Sequence, residues 1–150
     1  MQARQKGRGH PMKWNTPEQL EELLCEVVSW DSRTGTAGEV EFSGKIKDKL
    51  LELKYFEENR WNIQSHDSGK GRNAVTAFYN SGVTAKTIVL ISHFDTVHTE
   101  EFGNLEALAF HPRALTGELK SRMDDLSEDV QVDLQSDEYL FGRGTMDMKM

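Results

Sequence analysis

The chain has 150 residues, of which 37% are apolar and 29% charged, with a formal net charge of −7. That is the length of one domain, enough to bury roughly 70% of its unfolded surface. The acidic balance, without clustered Lys and Arg, argues against a general binder of nucleic acid or of anionic membranes.

No stretch approaches the roughly 20 apolar residues of a membrane span. Residues 1–11 are basic, carry almost nothing to bury, and are not followed by the apolar core of a secretory signal. They read as a disordered tail ahead of one domain over 12–150, with Met12 a candidate true start. The single cysteine, Cys25, excludes an internal disulfide and a Cys-rich zinc module, so a cytoplasmic location fits best.

Thr16-Pro17-Glu18-Gln19 predicts a helix start, with Thr16 as cap, Pro17 in the first turn and Gln19 reaching back. Leu20, Leu23, Leu24, Val27 and Val28 then recur at helical spacing and form one apolar stripe, with Cys25 expected to be buried beside it. A loop over 32–38 leads to a second helix expected to start near Ser43, burying Ile46, Leu50, Leu53 and Phe56. Short strand patterns follow at 61–64 and 73–79. Thr87-Ile88-Val89-Leu90-Ile91 is continuously apolar after its first residue, as in a strand covered on both faces.

Beyond Thr99 the periodicity weakens. Residues 121–138 hold seven carboxylates against one arginine, which reads as a solvated loop or surface helix. Residues 138–141 offer a last short strand before Gly142-Arg143-Gly144 turns the chain. Helices followed by strands, one of them apolar on both faces, predict an α/β domain: two helices, then a mixed sheet.

Two short segments carry chemistry. In His93-Phe94-Asp95-Thr96-Val97, directly after the apolar run, a strand period of two puts His93 and Asp95 on one face. A neutral imidazole there is a natural zinc ligand, and a carboxylate on its second nitrogen fixes the tautomer. Read alone, the pair equally describes a hydrogen-bonded histidine at a strand end. In Gly142-Arg143-Gly144-Thr145-Met146-Asp147-Met148-Lys149, the flanking glycines suggest a sharp turn or a backbone passing close to another group. Asp147 is a carboxylate able to bridge two cations, although a helix-capping aspartate after a turn would look the same. Neither a dinucleotide fingerprint nor a phosphate-loop pattern is present. A metallophosphoesterase site would need further Asp, His and Asn ligands. His66, His98 and His111 read as surface or loop histidines, and Trp14, Trp30 and Trp61 as packing residues.

Together and in this order, the two segments resemble the co-catalytic zinc hydrolases, the family of aminoacylases, glutamate-type carboxypeptidases, acetylornithine deacetylase and succinyl-diaminopimelate desuccinylase. His93, Asp95 and Val97 match its His-x-Asp-x-Val motif. Gly142, Arg143, Gly144, Asp147, Met148 and Lys149 match its Gly-Arg-Gly-x-x-Asp-Met-Lys motif. Phe110-His111-Pro112 and Thr116-Gly117-Glu118-Leu119 are similar to its connecting segment. Within the family, the combination is most similar to the bacterial arginine-utilisation group.

The resemblance implies a pair of zinc ions, with His93 a ligand of one, Asp147 bridging both, and Asp95 the catalytic acidic residue that orients His93. It implies hydrolysis of an amide bond in a small amino-acid-like substrate. The family's general-base glutamate and its remaining metal ligands follow the second motif, and this sequence reaches only Met150, where the family often has glycine. The expectation is therefore the N-terminal portion of a catalytic domain, inactive alone. A non-catalytic truncated product or binding fragment is the competing reading.

Overall fold

The computed structural model describes residues 13–82 and 86–143. The expected tail, Met12, and the second motif from Gly144 onward, including Asp147, lie outside the described residues. Within them the chain is α/β. Helices α1 (Pro17–Ser29), α2 (Ala37–Leu51) and α3 (Lys54–Glu58) precede an antiparallel pair, β1 (Ile63–Gly69) and β2 (Arg72–Ala77). A 3₁₀ segment (Glu100–Leu108) then leads to α4 (Pro112–Ser121) and α5 (Glu128–Ser136).

The cap read from the sequence forms at α1. Thr16 Oγ1 accepts from the Gln19 amide at 3.3 Å, while Gln19 Oε1 accepts from the Asn15 amide at 3.0 Å. The reciprocal bond thus falls on the residue before the cap. The apolar stripe is covered only towards its C-terminal end: Val28 is buried, but Leu20 and Leu24 are exposed. Cys25 is half-buried rather than buried.

Helix α2 begins at Ala37, well before Ser43, because Thr36 Oγ1 accepts from the Glu39 amide at 3.3 Å. The earlier start brings Phe42 into the core, against the edge of Trp30 and stacked on Phe94. Of the face expected around Ile46 to Phe56, only Phe56 is fully buried, and it lies on the separate helix α3. Trp61, read as a packing residue in a strand, sits in a 3₁₀ turn and is 70% exposed.

The hairpin turns through Lys70 and Gly71, both with positive φ (55° and 77°). Two positive-φ residues are what a right-twisted two-residue loop requires. The hairpin lies against α2 and is tied to it by Arg72. Its Nε is 2.7 Å from Glu39 Oε1, and its Nη2 donates to Glu39 Oε2 at 2.8 Å.

The four apolar residues 88–91 are not the buried strand that their pattern predicts. They are 72–92% exposed, and among the described residues no strand pairs with them. A strand buried on both faces needs neighbours along both edges and layers above and below, and the described elements supply none at this position. The expected strand over 138–141 is likewise absent. The Phe141 amide instead donates to Thr116 Oγ1 at 2.9 Å and the Arg143 amide to the Ala109 carbonyl at 2.9 Å. The acidic stretch forms α5, a surface helix that buries only Leu134. No described helix is long and apolar enough to cross a membrane.

Candidate functional site

From His93 to Val97 the residues alternate between exposed and half-buried. His93, Asp95 and Val97 face out, while Phe94 and Thr96 are turned inward. This is the period-two arrangement expected from the sequence, and it puts the imidazole beside the carboxylate. His93 Nδ1 is 3.1 Å from Asp95 Oδ1 and 3.1 Å from the Asp95 carbonyl oxygen. An Nδ1–H held by those acceptors leaves Nε2 as the lone-pair nitrogen, the tautomer a metal-ligating histidine needs. Both side chains are accessible, at 61% and 49%. The donor chemistry of this pair therefore fits one metal ligand with its orienting carboxylate. Among the described residues no group of three or more His, Cys, Asp or Glu gathers around it.

The inward residues explain how an exposed pair is held. Phe94 stacks on Phe42, with ring centroids 4.9 Å apart. Thr96 is bound through its backbone: its amide donates to the Ser32 carbonyl at 3.0 Å, and its carbonyl accepts from the Thr34 amide at 2.9 Å. This forms a single parallel bridge between Arg33 and Thr96, linking the α1–α2 connection to the site. Thr34 Oγ1 also donates to the Thr96 carbonyl at 3.2 Å and to Asp95 Oδ2 at 3.4 Å.

The connection itself is stiffened by ionic contacts. Arg33 donates to both Asp31 carboxylate oxygens and, through Nη1, to Thr99 Oγ1. Those bonds hold the Asp31 carboxyl below its ordinary pKa, against the opposing effect of burial. Glu39, which accepts from Arg72 and from the Gly35 amide, is lowered in the same way.

The start of the second motif reaches the first. Arg143, 96% buried by its 4% exposure, donates through Nη1 to Thr96 Oγ1 at 2.9 Å and to Ser32 Oγ at 3.2 Å. Through Nη2 it donates to the Val28 carbonyl at 3.0 Å and to the Trp30 carbonyl, and its guanidinium lies over the Phe110 ring. Gly142 is where the chain passes close to its surroundings. A Cβ there would meet Pro112 Cγ at 3.1 Å and Val28 Cγ1 at 3.3 Å. The structure thus brings the Gly142-Arg143 turn against the inner side of the His93–Asp95 segment. The position of Asp147 relative to His93 lies outside the described residues. Sequence reasoning missed Thr96, Phe94 and Ser32 as anchors. The only local signal for them was the strand alternation, which placed 94 and 96 on the inward face.

Comparison with known proteins places these features in company. The chain is 36% identical over 138 residues to the uncharacterized protein YqjN of Bacillus subtilis (strain 168), covering 92% of this chain and 25% of that protein. It is 34% identical over 139 residues to Protein RocB of the same organism, covering 90% of this chain and 24% of that protein. No protein-family model matches the chain, and no solved structure matches it. The chain is thus homologous to these two proteins over nine-tenths of its own length, and spans about a quarter of theirs.

Proposed function

We propose that this chain is part of a zinc-dependent hydrolase that cleaves amide or peptide bonds in small amino-acid-like substrates. The observation that carries the reading is the meeting of the two motif segments, with Arg143 Nη1 2.9 Å from Thr96 Oγ1 beside the His93–Asp95 pair. The contact supports the reading because it joins the two segments that carry the resemblance, 47 residues apart, at the inner side of the His93–Asp95 pair. In this reading His93 would hold one zinc, Asp95 would fix the imidazole and raise its basicity, and Asp147 would serve as the ligand common to both zincs. The metal pair would supply a hydroxide nucleophile at neutral pH and polarise the carbonyl under attack. The described residues contribute orientation: Asp95 holds the tautomer, and Phe94 and Thr96 hold the backbone that presents it.

The cytoplasm is the compartment that suits such a site and a lone cysteine. A role in arginine utilisation is the narrower form of the proposal and rests on the motif resemblance. The second reading is a binding fragment without turnover, and it is considered because the chain spans about a quarter of the length of the relatives it matches.

Two polypeptides separate the readings, the 150-residue chain and one of the relatives' full length. Both are titrated with zinc and assayed on N-acyl amino acids and dipeptides. The longer protein is expected to bind two zincs, to turn over substrate, and to lose turnover on Asp147→Ala. Full turnover after that change would remove the bridging role. Metal-dependent turnover by the 150-residue chain would overturn the binding-fragment reading.

A further inference from the structure

We propose that Arg143 is a positioning residue: its guanidinium clamps Thr96 to the end of α1 and so fixes the segment that presents His93 and Asp95. The inference rests on the proposed metal site only for the purpose that the positioning serves, because the clamp itself is visible in the contacts.

Arg143 is an expensive way to fill a buried position. It is 4% exposed, no carboxylate among the described residues is within ion-pair reach, and burial lowers its pKa. Asp31 acts on it only from beyond contact distance, and a buried cation without a contact partner is costly, so an apolar residue of similar volume would ordinarily be tolerated better. What the guanidinium provides instead is a planar fork with fixed directions. One arm addresses the carbonyls of Val28 and Trp30, at the negative end of α1. The other addresses the hydroxyls of Ser32 and Thr96. The Phe110 ring covers the face, its centroid 4.6 Å from Cζ. The fork therefore joins α1, the α1–α2 connection and the site segment at one point.

Thr96 is the residue through which this acts. Its backbone is already bridged to Ser32 and Thr34 on the connection side. The bond from Arg143 fixes its side chain on the inner side. With both held, the backbone next to Asp95 is fixed where it presents the carboxylate beside His93. The guanidinium donates to Thr96, Ser32, Val28 and Trp30.

The test compares the 150-residue chain with Thr96→Val, Arg143→Lys and Arg143→Met, without metal and well below the unfolding temperature of each. Amide hydrogen exchange over residues 95–97 is read against exchange in α2, and zinc dissociation constants are measured on the same substitutions in the longer protein. Thr96→Val retains the other bonds of the guanidinium, so it keeps the proposal testable even if Arg143→Met does not fold. Exchange at 95–97 is expected to rise at least tenfold in Thr96→Val and Arg143→Lys while α2 is unchanged. Zinc affinity is expected to fall about 10- to 100-fold, the usual effect of losing a group that orients a ligand. Unchanged local exchange in Thr96→Val, or full protection retained with lysine at 143, would overturn the clamp. Faster exchange at 95–97 together with no zinc binding by the longer protein would support the clamp and sink the metal reading instead.

Discussion

Two glycines set the closest approaches around the site, and their substitution separates two opposing effects. Gly38 lies in the first turn of α2, where a Cβ would sit 2.2 Å from the Asp31 carbonyl oxygen. Alanine in a helix is favoured over glycine by about 1 kcal/mol, but an overlap with backbone cannot be relieved by turning a side chain. Gly38→Ala is therefore expected to lower stability by about 1–3 kcal/mol net, the usual cost of overpacking, measured as a shifted urea midpoint. At Gly142 the neighbours are side chains at 3.1 and 3.3 Å, which yield by small movements. Gly142→Ala should cost less, about 1 kcal/mol. The carboxyls near the same connection give a pH prediction. Asp31 and Glu39 both have pKa values lowered by arginine partners, so the folded state binds fewer protons than the unfolded one. Their contribution is fully present above the ordinary carboxylate range and is lost as pH falls through their lowered values. The melting temperature should hold between about pH 5 and 7 and decline below about pH 4. Glu39→Gln should make that decline shallower, and an unchanged acid limb in the variant would show that Glu39 takes no part in it.

At the level of elements, legibility followed the range of the contacts involved. Helix α1 was readable because its cap, its Pro17 and its stripe are all local. Helix α2 was equally local, but Thr36-Ala37-Gly38-Glu39 carries a glycine that disguises a helix start as a loop. Its cap geometry predicts that Thr36→Ala costs about 1 kcal/mol and frays the first turn, seen as faster exchange in the amides following Thr36. Since Glu39 in that turn binds Arg72, the hairpin should loosen with it. In the site, the shared face of His93 and Asp95 follows from strand alternation, and the close passage of Gly142 follows from its lack of a side chain. The partners of Arg143 are 33 to 115 residues distant: Phe110, Thr96, Ser32, Trp30 and Val28. Those pairings depend on how α1, the connection and the 110 region pack, and no local pattern encodes them.

For the whole molecule, the residues at 88–91 decide how this chain behaves alone. Ile88, Val89, Leu90 and Ile91 are 85, 72, 92 and 90% exposed, and no charge falls between Lys86 and His93. Burying each such side chain stabilises by about 1.5–3 kcal/mol, so the segment is drawn strongly towards any cover. An uncharged, β-branched run with open backbone also pairs readily with a second copy of itself. Leu90→Lys should thus reduce concentration-dependent light scattering of the 150-residue chain while leaving its melting temperature within about 1 °C, because a side chain 92% exposed contributes little packing to lose. The relatives are about four times as long as the matched region. If a polypeptide of that length covers this run with further strands, the same substitution there should place a charge in a buried layer and cost several kcal/mol. One mutation harmless in the short chain and severe in the long one would mark residues 88–91 as an interior strand of the larger protein. Equal tolerance in both would mean that the run stays on the surface, and the apolar pattern would then have to be explained by self-association alone.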